Sequence, residues 1–494
     1  MDPKLTYLLH SNCAPTVTQT LEIRRLLESS EVSQLRDLAV HPDELPGLLR
    51  YLRGTLSLIR TFPAELLSQV FIFCRDNSHA LRYSTIDPRE APMILGHVCR
   101  HWRSVAYSTP RLWDTVSLSN FASPDLPLDP SIVHDILAHS RDLPLELSLA
   151  YEMKPESLSD AFAYFDTLWA SHERLRTLTL NLSNTKSNIL PCGKVFHVLS
   201  SIDIKINYPY SETLDNWENM HYATLSDTLE GFSSAPALRS LRLEADFTPE
   251  DILIPTLPWS QLTHLELFTH AEYNLGRDII IECPALEEVA LGYYFGPGAE
   301  LPLHTHYLRT LSLDMFGEGP DVVLLAFVLP RLESLTLRTE VPVHAMSALV
   351  ALYERSRFSL VHLELGMDLP PEDVGLLLRI FCSLRTLSIS GGHSITNRHF
   401  TLFNIPSRPI RHPRLQSLTI GLLTFDLDGA VVAEMAETLA PGAARIDAPF
   451  PALRELRLPR AAPEHMRPVF SEDVEARLET LRATGFLDDS IESW

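Results

Sequence analysis

Aliphatic residues recur along this chain at the first, fourth and sixth positions of short hexamers, with polar residues between them. The hexamers run from Leu175 (LRTLTL) through Leu199, Leu238, Leu262, Leu286, Leu308, Leu332, Leu360, Leu384 and Leu415 to Leu453 (LRELRL). Steps between their first leucines are 24, 39, 24, 24, 22, 24, 28, 24, 31 and 38 residues. One short strand cannot bury three aliphatics alone, but stacking the next copy beside it can. The pattern therefore predicts an α/β solenoid: an arc of parallel strands with helices between them. Helices are expected over Asp321–Leu329, Val343–Tyr353, Glu372–Phe381 and Gly429–Leu439, where one side is apolar. Pro236, Pro284, Pro330, Pro413 and Pro451 each stand two residues before a first leucine, and are read as ending the helix ahead of the strand. Tyr208–Phe232 and Asp426–Phe450 read as insertions or as degenerate copies without a recognisable hexamer, and Leu145–Leu149 as an earlier, poorly matched strand capping the stack.

Upstream the periodicity changes. Leu66, Leu67, Val70, Phe71 and Cys74 form one apolar helix face after Pro63, which suits an early helical position. After a polar stretch (Arg75–Arg89), a second helix from about Glu90 places Leu95, Val98, Cys99, Trp102 and Ala106 on one stripe; Thr109-Pro110 ends it and Leu112-Trp113 anchor its exit. Thr18–Arg60 is helix-rich without a sustained heptad, so a docked helical prefix is expected.

Composition narrows the function. The chain has 494 residues, 45% hydrophobic and 21% charged, with 41 basic against 63 acidic residues and a formal charge of −22. That balance argues against nucleic acid and against an anionic membrane surface as partners. No run approaches the roughly 18 apolar residues of a membrane span. The start lacks a secretory leader, and six scattered cysteines suit a reducing compartment, so a cytoplasmic and/or nuclear location is expected. No phosphate-binding Gly loop, Gly-x-Ser-x-Gly elbow or His-Glu-x-x-His occurs. His304-Thr305-His306 lacks an accompanying acid or Cys cluster. We expect no catalytic residues, no metal and no cofactor.

Pro63 with Glu65-Leu66-Leu67 and Val70-Phe71, then Val98-Cys99-Arg100-His101-Trp102-Arg103, then Ser108-Thr109-Pro110-Arg111-Leu112-Trp113 resemble an F-box. The last group is similar to F-box-like proteins abundant in mushroom-type fungi, and the hexamers downstream resemble leucine-rich repeats. Phe62 stands where a leucine is usual, and His101 lies between Arg100 and Trp102. The resemblance implies an all-α F-box-like region that binds a Skp-family adaptor and, through it, a cullin-based ubiquitin ligase. The chain would then be the non-catalytic subunit that recruits an unknown protein substrate. The alternative is a leucine-rich-repeat interaction scaffold outside any ligase, its F-box having diverged. The expected organisation is a helical prefix (1–61), an F-box-like domain (62–118), a linker and capping region (119–174), the repeats (175–470) and an acidic tail (471–494).

The adaptor-binding candidates are Pro63, Leu66, Leu67, Val70, Phe71, Leu95, Val98, Cys99, Trp102, Leu112 and Trp113. Some of these hold the helices together and some are left for a partner, divided between helix faces. On the repeats, side chains at the third and fifth hexamer positions face the concave surface. Arg242, His264, Glu266, Glu288, His362, Glu364 and Arg457 are the substrate-binding candidates, against the alternative that they are solvated strand positions. With only Arg242 and Arg457 basic at those positions, capture of a phosphorylated motif is not expected.

Overall fold

The computed structural model describes residues 14–28, 50, 52–76, 85–119, 130–152, 165–183, 193–207, 231–245, 257–269, 279–295, 303–317, 321–339, 345–390, 395–404, 414–421, 427–441, 450, 452–458 and 470–488. Most of the expected prefix and most of the two long insertions lie outside them, as do Pro413 and Pro451. The chain divides into two compact units. One comprises Met1–Thr185 with Ile189–Leu199, and the other Lys186–Asn188 with Ser200–Trp494.

In the first unit the helices Val17–Glu28, Ala64–Asp76, Met93–Val98, Arg100–Ser108 and Pro130–His139 accompany three parallel strands. β1 (Thr115–Ser119) pairs with β2 (Leu145–Glu152), and β2 with β3 (Leu175–Ser183). The expected linker and capping region, 119–174, contains the Pro130–His139 helix and β2, which covers the expected early strand Leu145–Leu149 and pairs with β1 on one side and β3 on the other. The single helix expected from Glu90 is broken at Cys99, whose backbone is extended (φ −162°, ψ 171°). Cys99 caps the helix that follows, its sulfur accepting the Trp102 N–H at 3.4 Å.

In the second unit the parallel strands follow chain order: β4 (Ser201–Asn207), β5 (Ser240–Ala245), β6 (His264–Thr269), β7 (Glu288–Phe295), β9 (Thr310–Gly317), β11 (Ser334–Thr339), β12 (His362–Gly366), β13 (Thr386–Ile389), β14 (Ser417–Ile420), β15 (Glu455–Arg457) and β16 (Leu487–Asp488). β8 (His304–Thr305) and β10 (Phe327–Val328) make a separate parallel pair. Helices Asp321–Ala326, Ala345–Ser356, Pro371–Ile380, Asn397–Asn404 and Gly429–Leu439 lie between successive strands. This is an α/β architecture on a large parallel sheet. The helix expected to reach Leu329 stops at Ala326, where β10 takes over. The acidic tail is also corrected. Glu472–Ala483 is a helix, held to the preceding one by Arg477 on Glu437 at 2.8 Å, and β16 extends the sheet beyond β15. Acidic residues in its first turn (Glu472, Asp473, Glu475) suit the positive end of the helix dipole.

The first, fourth and sixth positions of every hexamer are buried, from Leu175, Leu178 and Leu180 to Leu453, Leu456 and Leu458. From β4 to β15 the strands begin at the third position. The first leucine therefore enters the core from a turn. That turn is closed by Leu238 N–H on Ala235 O, by Leu286 on Cys283 and by Leu332 on Leu329. Pro236, Pro284 and Pro330 occupy the second position of these turns, where a fixed φ is favourable and no N–H is needed. They set the turn; Pro284 also follows helical residues 279–282, as expected, whereas the described residues directly ahead of Pro236 and Pro330 are not helical.

A shared acceptor links each step to the next. The carbonyl of the second hexamer residue takes two N–H groups from the following repeat. Arg239 O accepts from Thr263 and His264, Thr263 O from Glu287 and Glu288, and Gln416 O from Arg454 and Glu455. Buried polar side chains then satisfy carbonyls one turn back. His306 Nε2 meets Cys283 O at 2.9 Å, His399 Nε2 meets Leu369 O at 2.8 Å, and Ser383 Oγ donates to Leu360 O at 2.7 Å. Arg355 likewise donates to the carbonyls of Leu324 and Phe327.

Leu335→Ala should destabilise the chain by about 2–5 kcal/mol through lost burial and a residual cavity. Thr336→Ala, on the other face of the same strand, should stay within about 0.5 kcal/mol; urea unfolding reads both. His306 supplies a pH test. Among the described residues its Nδ1 has no hydrogen-bond partner, and burial holds the imidazole below its ordinary range, opposed by the bond to Cys283. The unfolded chain binds that proton more readily. The stabilisation is thus complete above the ordinary imidazole pKa of about 6.5 and is lost as pH falls towards the depressed folded value. His306→Gln should flatten the fall of the urea midpoint between about pH 7 and pH 5; an unchanged slope would exclude His306 as its source.

Candidate interaction surfaces

Two surfaces, one in each unit, collect the candidate residues. In the first, Phe71 is fully buried and its ring lies 4.9 Å from that of Trp102. Arg103 Nε donates to Gly96 O at 2.8 Å, and Trp113 Nε1 donates to Ala106 O at 2.9 Å. Arg75 reaches from the Ala64–Asp76 helix to the carbonyl of Arg111 and the carboxylate of Asp114. Interior packing thus accounts for Leu67, Phe71, Leu95, Leu112 and Trp113. These five of the candidates fall on the core side of the expected division between helix faces. Cys99 and Trp102 are half-buried.

Pro63, Leu66, Val70 and Val98 remain exposed, with Leu66 at 54%. Phe62, Phe73 and Ile94 join them, Phe73 at 69%. Phe73 and Ile94 lie off the stripes read from the sequence, which mixed inward Leu67, Phe71 and Leu95 with outward Leu66, Val70 and Val98. The Leu52–Thr61 and Ala64–Asp76 segments together pass a length-and-hydropathy test for a membrane span, but they are bent by 98°. Among the described residues no single helix is long and apolar enough to cross a membrane.

In the second unit, strand register gathers the open-face candidates into rows. His264 faces Glu288 across β6 and β7, and Arg242 faces Glu266 across β5 and β6. Arg242 lies 3.2 Å from Glu266 and 3.8 Å from both Asp203 and Glu244, and Lys205 also pairs with Glu244. His264 Nε2 lies 3.4 Å from Glu288, a pair that is ionic when the imidazole is protonated. Asp203 is pushed above the ordinary carboxyl range by burial; Arg242 opposes this, while Glu266 and Glu244 add to it. His362 and Glu364 sit on β12, where Arg338 binds Glu364 at 2.6 Å. Arg457 is further along, on β15, and pairs with Glu455 at 2.7 Å. The seven candidates therefore do not converge on one site.

The hexamer reading stopped one alternation short. Several strands continue to a seventh position, also on the open face, which carries Lys205, Glu244, Phe268, Gly292, Asp314 and Arg338 in register. Arg242 extends its guanidinium over Phe268, 5.3 Å from the ring centre. A Cβ at Gly292 would approach the Phe268 ring to 2.5 Å, so that ring lies against bare backbone.

His304 and His306 have ring centres 6.3 Å apart, and His306 is committed to Cys283 O. Among the described residues no group of three or more His, Cys, Asp or Glu is placed to hold a metal. The Cys283 thiol, buried and near Glu282, is pushed up to about 12, far from thiolate chemistry at neutral pH.

No family model matches the chain, and no curated protein matches it.

The division of the first surface has a direct test. Phe71→Ala should cost about 3–5 kcal/mol. Leu66→Ala should cost less than about 1 kcal/mol by the same urea titration, its side chain being mostly solvated. Equal losses would refute the assignment of faces.

Proposed function

We propose that the chain is the substrate-recruiting subunit of a Skp-cullin-type ubiquitin ligase, with an F-box-like region ahead of a leucine-rich-repeat solenoid. The observation that carries this reading is a set of exposed apolar side chains on short helices, Leu66, Val70, Ile94 and Val98, ahead of a hexamer-patterned parallel sheet. A helix face of this kind gains by laying its apolar residues into a partner groove. The partner in this reading is a Skp-family adaptor, which brings the cullin. The open sheet face takes the substrate, as repeat surfaces generally do.

On this reading the chain is not an enzyme and uses no cofactor or metal. The ubiquitin thioester belongs to another subunit, and the chain contributes proximity, raising the substrate's effective concentration beside it. Ligases of this type work in the cytoplasm or nucleus, in keeping with the acidic composition. Neither nucleic acid nor a membrane is required.

Co-expression with a Skp-family adaptor should give one co-eluting species at micromolar concentration on gel filtration. Leu66→Asp with Val70→Asp should abolish co-elution while the chain still melts cooperatively. Separate elution of the wild-type proteins would remove the ligase reading and leave an interaction scaffold.

A further inference from the structure

On β4–β7 the open face carries Asp203, Glu244, Glu266 and Glu288 against Lys205 and Arg242. Both cations are already committed: Lys205 to Glu244, and Arg242 to three carboxylates at once. Glu288 is met by His264, and both side chains are about half exposed, at 54% and 48%. The surplus charge on this face is negative and accessible. Next to it, Phe268 offers a half-buried ring that already accepts a guanidinium on its face and lies against the bare backbone of Gly292. Arg338, the next cation along the row, is bound to Glu364 on the far side of Asp314 and adds no free positive charge.

We propose that this face of β4–β7 docks an extended protein segment carrying two or more Lys or Arg residues, with an apolar side chain laid on Phe268 and Gly292. The inference rests on the recruitment reading for its biological meaning and names the class of segment recruited. Charge complementarity selects the occupant. Each incoming cation faces carboxylates that outnumber the resident bases, whereas an acidic or phosphorylated segment meets like charge. Four strands at about 4.8 Å spacing cover roughly 14 Å, the reach of about four extended residues. Over the five residues that bound this span the first, third and fifth side chains face the sheet, which accommodates two cations and one apolar residue. Arg242 is the exchangeable element: a ligand guanidinium can take its place over Phe268 while Arg242 stays with Glu266.

Fluorescence anisotropy on the purified full-length chain tests this with two labelled decapeptides, one carrying Arg, Leu and Arg at successive alternate positions with Ser between them, the other Glu, Leu and Glu in the same places. The Arg peptide should bind, weakening at least about tenfold when salt rises from about 50 to about 300 mM, and the Glu peptide should not. Glu266→Gln with Glu288→Gln should weaken binding about tenfold, and Phe268→Ala by a smaller factor. Glu472→Gln with Glu479→Gln, on the C-terminal helix, should leave it unchanged. No Arg-peptide binding, or equal weakening by the two double variants, would overturn the proposal, the latter reducing it to general attraction by an acidic protein. Adaptor co-elution of the Glu266→Gln, Glu288→Gln variant should match wild type, so failure here is distinguishable from failure of the ligase reading.

Discussion

A parallel strand of four to eight residues has no partner for its aliphatic side chains until another strand lies beside it, and that constraint governs the second unit. Leu335 and Leu337 are covered because Leu311 and Leu313 stand beside them in register on one side, and Leu363 and Leu365 on the other. No step is stable on its own account, so turns, plugs and helices all serve to keep successive steps aligned. The shared acceptor at the second hexamer position does this on the backbone. His306, Arg355, Ser383 and His399 do it with side chains that fill carbonyls one turn back. A buried carbonyl left without such a donor would cost about 1–3 kcal/mol, comparable with a lost leucine.

The leucines were legible in the sequence because burial at three fixed positions is the strongest requirement the fold makes. All three positions of each hexamer are interior, as expected. What surrounds them was less legible. The prolines were noticed, but Pro at the second position of a turn and Pro after a helix leave the same trace in sequence. The turn bond from Leu238 to Ala235 distinguishes them, and it is a backbone fact. Glu472–Ala483 was read as tail because charge dominates its composition, although Val474, Leu478 and Leu481 supply a buried stripe at helical spacing. The seventh-position row escaped because the hexamer was treated as the strand, whereas the alternation continues past it to Phe268 and Arg338.

The open face follows from the same alternation. Side chains that cannot turn inward are held about 4.8 Å apart by the sheet, so charges of opposite sign on neighbouring strands find each other. Arg242 and Arg338 are each bracketed in this way. Such exposed pairs add little stability. Their consequence is for recognition: they use up the cations and leave the carboxylates in surplus.

The first unit shows the limit of amphipathic reasoning. A helical stripe tells which residues are apolar, and a two-sided helix has two of them. In Ala64–Asp76 one stripe, Leu67 and Phe71, closes on Trp102 and the turn that follows. The other, Leu66, Val70 and Phe73, faces outward. Sequence alone expected both roles, but could not say which stripe took which, because their composition is the same. Only the break at Cys99 separates them. It rotates Arg100–Ser108 so that Val105 and Ala106 point inward and Arg103 returns to Gly96, which leaves Val98 exposed on the preceding helix. The capped break at Cys99 thus marks where exposed Val98 parts from buried Val105 and Ala106.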